Sequence, residues 1–99
     1  MSKASDKVNS QELYRAILAL RNEDECRRFF HDLCTIAELR AMEQRYDVAV
    51  LLEQGMVYSD ILERTGASSA TISRVNRALN YGEDGYKDVF HHLQEQERS

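Results

Sequence analysis

Between Tyr58 and Leu79 the chain reads YSDILERTGASSATISRVNRAL, two stretches of helical periodicity parted by a glycine and a pair of serines. That order leaves the backbone little choice. Ile61 and Leu62 lie one turn before Thr65, and Gly66 follows at the position after a helix where a left-handed backbone is needed, so the first helix stops there. Ser68 and Ser69 can each cap a second helix by accepting from backbone N–H groups two or three residues on. Ile72, Val75 and Leu79 then give that helix an apolar stripe that leans on the first. The pattern predicts a helix-turn-helix over about residues 58–80.

The opposite face of the second helix carries Ser69, Ala70, Ser73, Arg74 and Arg77, short hydrogen-bonding or methyl-bearing groups followed by two cations. Such a face suits a helix lying in a DNA major groove. The chain has a net charge of −4, yet the stretch from Arg64 to Gly82 holds Arg64, Arg74 and Arg77 and no acid. A local positive surface on an acidic body suits phosphate on one side only. Tyr58 and Ser59 open the first motif helix, where polar groups reach phosphates, and Ser68 and Thr71 flank the start of the second. Three arginines are a thin footprint, and two copies on one duplex would double it, which favours a dimer.

At 99 residues the chain has little core to share among five or six short helices, and this again points to pairing with a second copy. The absence of proline and the four glycines suit helices joined by short turns, and no strand-like alternation occurs. The fold class expected is all-α. No apolar run of membrane-spanning length and no charged-then-apolar leader is present, which predicts a cytoplasmic protein without a membrane partner.

Along the chain, residues 1–8 read as a disordered polar tail and residues 9–93 as one helical domain. Asn9 with Glu12, Asn22 with Glu25, and Thr35 with Glu38 are three capping-box patterns. The first opens a helix reaching about Arg21, with Leu13, Ile17 and Leu20 on its apolar side. The second precedes Cys26, Phe29, Phe30 and Leu33, and the third opens the longest helix, in which Ile36, Leu39, Met42, Tyr46, Ala49, Val50 and Leu52 recur until Gly55. After Asn80-Tyr81-Gly82 a last helix carries Tyr86, Val89, Phe90 and Leu93, and residues 94–99 read as a solvated tail.

Other chemistry finds little support. Cys26 and Cys34, eight residues apart on one helical stretch, are too far apart for an intrachain disulfide and read as small buried hydrophobes. His31 near them, with His91 and His92, has no spacing that pre-orients metal ligands, so no metal is expected. No phosphate loop, nucleophile elbow or catalytic triad is discernible, and the chain does not read as an enzyme.

The stretches CTIAELRAMEQRYDVAVLL, GASSATISRVNRAL and GYKDVFHHL, in this order from about Cys34 to Leu93, resemble the Trp repressor superfamily and most of all its YerC/YecD branch. The resemblance implies an intertwined homodimer with two helix-turn-helix heads on a two-fold operator, and transcriptional repression. By the family pattern Ser69, Ala70 and Ser73 would face base edges, with Thr71 and Arg74 on the inner side of the head. The resemblance also places Thr35, Arg45, Thr71 and Arg74 around an effector pocket. Two further positions of that pocket depart from it: Val75 replaces a glycine and Ala78 a serine. The added bulk and the lost hydroxyl argue against tryptophan and leave the effector unknown. Competing readings are a helical dimerisation or adaptor protein that has kept the fold without binding DNA, and a replication-associated DNA-binding module.

Overall fold

The computed structural model describes residues 10–98, so the expected tail over 1–8 and the cap at Asn9 lie outside the described residues. Six α-helices follow one another: α1 Ser10–Leu18, α2 Glu23–Leu33, α3 Ile36–Glu53, α4 Tyr58–Thr65, α5 Ser69–Tyr81 and α6 Gly85–Arg98. No strand occurs among the described residues, and none of the helices is long and apolar enough to cross a membrane. The chain divides into two compact units, one ending at Leu39 and the other starting at Arg40, so the boundary falls inside α3 rather than in a linker.

In the first unit, local polar bonding sets the helix limits. Thr35 and Glu38 form a reciprocal box: the Thr35 hydroxyl accepts from the Glu38 N–H at 3.1 Å, and the Glu38 carboxylate accepts from the Thr35 N–H at 2.8 Å. Asn22 caps α2 by accepting from the Glu25 N–H, but the Glu25 carboxylate reaches past it to the backbone N–H and guanidinium of Arg21. Arg21 is thus committed to the start of α2, and α1 closes at Leu18 with bonds from Ala19 and Leu20 that tighten its last turn. No residue from Gln11 to Leu39 is buried. Cys26 and Cys34 are free thiols and only half-buried, not the core residues expected.

Bonds of this kind hold three carboxyls below their ordinary range: Asp24 through Arg27 and Arg28, Glu25 through Arg21, and Glu38 through the Thr35 backbone and hydroxyl. A lowered native pKa means that the stabilisation is complete above the ordinary glutamate value of 4.5 and fades as acid takes the pH through the lower native value. Glu38→Gln keeps a capping side chain but removes the titration. The acid side of its helicity curve, read by circular dichroism, is expected to be flatter than that of the wild type; coincident curves would exclude a role for Glu38.

The second unit holds the core. Val48 and Ala49 of α3, Ile61 of α4, Ala67 of the turn, and Ile72 and Val75 of α5 form one buried cluster, flanked by Leu51, Leu52, Met56, Tyr86 and Phe90. α3 ends in a Schellman turn in which Met56 N–H bonds Leu51 O and Gly55 N–H bonds Leu52 O, with Gly55 left-handed at φ 87°. α6 is anchored to α3 by the Tyr46–Phe90 ring contact and by Lys87 Nζ on Glu53 Oε1 at 2.8 Å. Gln94 to Arg98, expected as a tail, extend α6 as helix. No glycine or proline stops it, and Glu95 faces His91 and His92 at 3.6 Å one turn back.

Candidate nucleic-acid interface

Gly66 terminates α4 in the left-handed conformation at φ 72°, and its N–H bonds the Leu62 carbonyl. Space for a side chain exists there, so it is the backbone angle that calls for glycine. Ser68, extended at φ −70° and ψ 159°, caps α5 by accepting from the Thr71 N–H at 3.1 Å and bonding the Thr71 hydroxyl. Of the two serines expected to cap, Ser68 alone does so, because Ser69 is already helical and has left the extended geometry a cap requires.

At roughly 100° per residue, Ser69, Ser73, Arg77, Ala70 and Arg74 spread over about 140° of the α5 surface, opposite Ile72, Val75 and Leu79. Burial follows this division. Ile72, Val75 and Leu79 are buried, whereas Ser69, Ala70, Ser73, Arg74 and Arg77 are all exposed. Thr71, between the two sets, is half-buried and occupied with the cap. Tyr58 and Ser59 are exposed in the first turn of α4, beside Val57 and Leu62, which are also exposed.

The arginines differ in the same way. Arg21, Arg27 and Arg28 each pair with a carboxylate of α2. Arg64, Arg74 and Arg77, like Arg15, Arg40 and Arg45, have no carboxylate within 4.0 Å among the described residues, but Arg74 and Arg77 alone of these stand on the exposed face of α5. Positive charge neutralised by neighbours offers little to a polyanion; positive charge left bare on a rigid helix offers a phosphate site.

The residues assigned to an effector are dispersed in role. Thr35 belongs to the first unit and caps α3. Arg45 and Arg74 are exposed, Val75 is 2% exposed within the core cluster, and Ala78 borders an open groove of about 540 Å³ with Tyr46, Gly82, Glu83, Tyr86 and Val89. Among the described residues, no three His, Cys, Asp or Glu side chains gather in an arrangement that would hold a metal ion. Gln44, which donates to the Thr65 carbonyl, went unnoticed in the sequence because a polar residue on a long helix carries no pattern that names its partner.

A helix, a glycine turn and a serine-capped second helix with a bare, acid-free outer face define a helix-turn-helix protein built wholly of helices. Residues 9–94 match the Trp repressor protein family, and the chain belongs to that family. It is 47% identical over 95 residues to the YerC protein of Bacillus subtilis, covering 93% of this chain and 91% of the relative. Among solved structures it is similar to a TrpR-like protein from Eubacterium eligens, with a TM-score of 0.82 and 54% identity over 85% of this chain and 87% of that one. It is also similar to a Staphylococcus aureus protein named for the Trp repressor, with a TM-score of 0.82 and 40% identity over 95% and 96% of the two chains.

Proposed function

We propose that this protein is a transcriptional regulator that binds double-stranded DNA, acting as a repressor on a two-fold operator in the cytoplasm. The carrying observation is the outer face of α5, where Ser69, Ala70, Ser73, Arg74 and Arg77 stand exposed and without acidic neighbours on a helix whose other side is core. Membership of the Trp repressor family supports the same reading. Tyr58 and Ser59 supply phosphate contacts from α4, Ser68 and Thr71 hold the N-terminus of α5, and Arg74 and Arg77 carry the counterion-releasing charge. A gel shift on genomic fragments at low and moderate salt tests it. Retarded fragments that survive moderate salt are expected, and no retardation at either salt would favour the adaptor reading, to which the net charge of −4 lends some weight.

The active species is a homodimer. Leu13, Tyr14, Leu18, Leu33 and Ile36 are between 40% and 83% exposed, and none of residues 11–39 is buried. Helices that bury so little of their apolar surface lack the driving force to hold their arrangement alone, and a second copy provides it. Sedimentation is expected to give a species of twice the 11.5 kDa chain mass.

The regulator does not respond to tryptophan. Val75 occupies the core at the position where the tryptophan-binding relatives carry glycine, and Ala78 cannot replace a serine hydroxyl. Calorimetric titration with L-tryptophan is expected to show no micromolar binding; such binding accompanied by tighter DNA affinity would overturn this. Any effector between Arg45 and Arg74 belongs to another chemical class.

A further inference from the structure

α3 meets the helix-turn-helix through more than apolar packing. The Gln44 Nε2 donates to the Thr65 carbonyl oxygen at 3.2 Å, joining residues 21 positions apart, whereas most side-chain hydrogen bonds here link neighbours within four. Thr65 is the last residue of α4, and its carbonyl is one of those a helix end leaves without an internal partner. Because Thr65 is half-buried, water serves that oxygen poorly and the amide takes its place. The Thr65 hydroxyl donates to the Ile61 carbonyl at 2.8 Å and accepts from the Ala67 N–H at 3.1 Å. Gly66 N–H bonds Leu62 O at 2.9 Å, so residues 61–67 form one hydrogen-bonded unit that Gln44 ties to α3.

The buried contacts among Val48, Ala49, Ile61, Ile72 and Val75 hold α4 and α5 against α3, but apolar attraction is non-directional. A hydrogen bond has a preferred direction and length. We infer that Gln44 is a positioning residue: by holding the Thr65 carbonyl it sets the angle at which α5 leaves the turn, and with it the register in which Ser69, Ser73 and Arg77 meet a duplex. The inference rests on the DNA-binding reading. Attraction to phosphate tolerates a small tilt and base readout does not, so loss of the tie lowers discrimination between sequences more than it lowers affinity.

Gln44→Met keeps most of the side-chain volume without the amide, and Gln44→Lys returns an N–H donor of similar reach. Native-state hydrogen exchange of the free protein reads the tie, and competition between a duplex selected from a random pool and a scrambled duplex reads the positioning. In Gln44→Met the Gly66 and Ala67 amides are expected to exchange about tenfold faster, the change that one hydrogen bond of ordinary net strength supports, and discrimination to fall by about the same factor. Non-specific affinity and its salt slope stay as in the wild type, and Gln44→Lys recovers both losses. Unchanged exchange in Gln44→Met overturns the tie. Faster exchange with unchanged discrimination, or a Gln44→Lys protein that recovers neither, overturns the positioning role. A wild-type protein that prefers neither duplex refutes the DNA-binding reading and the positioning role with it, and the exchange rates still report separately whether the tie exists.

Discussion

Arg74→Ala combined with Arg77→Ala is expected to weaken DNA binding on the order of a thousandfold at 0.1 M salt, with the loss shrinking toward nothing near 1 M. Each phosphate contact contributes about 0.9 to the slope of log affinity against log salt, so four arginines in a dimer account for about 3.6 of that slope. Both guanidinium groups are exposed and unpaired on the rigid outer face of α5, so removing them costs the fold almost nothing, and thermal stability is expected to stay put. Fluorescence anisotropy across a salt series measures the slope directly. The single variants divide the effect. If Arg74→Ala alone leaves the affinity of the ligand-free protein unchanged, Arg74 serves the effector side and Arg77 carries the phosphate contact. A double variant with the wild-type slope would place the contacting surface elsewhere.

Ile72→Ala acts through the other face of the same helix. Ile72 is fully buried against Val48, Ile61 and Val75, and truncating such a side chain costs about 2–5 kcal/mol, a large share of the 5–15 kcal/mol or so that holds a typical domain folded. In a chain of 99 residues each kcal/mol moves the midpoint by about 4–8 °C, so a fall of roughly 10 °C or more in Tm is expected. Ser73→Ala, one position along and facing out, is expected to leave Tm within a degree or two. Equal midpoints for the two variants would mean that α5 does not present the faces described.

The motif was readable from sequence because its determinants are local. Thr35 with Glu38 and Asn22 with Glu25 act across three residues, Gly55 and Gly66 act through their own backbone angles, and the Ile72, Val75, Leu79 stripe repeats within one helix. Where a distant segment decides, the sequence carried less. Val48 is fully buried although it falls outside the periodic stripe read for α3, because residues 48–52 are apolar on every side and only packing selects which of them faces the core. Ile36 and Leu13 lie on the apolar stripes read for their helices, yet stand 57% and 40% exposed. Periodicity reports that a face is apolar and is silent about what covers it. The early end of α1 has a similar origin, since it depends on Glu25 drawing Arg21 into the next helix. The outer face of α5 could be listed residue by residue because it is defined by what its own helix leaves exposed, whereas an effector pocket involving Arg45 and Ala78 depends on segments brought together from afar.

Selection of bound duplexes from a random-sequence pool puts the central claim to the most direct test. A regulator that presents two α5 helices to successive major grooves is expected to enrich a two-fold symmetric sequence whose half-sites lie about 34 Å apart, one turn of the duplex. A pool that emerges from repeated rounds with no sequence enriched would contradict the account.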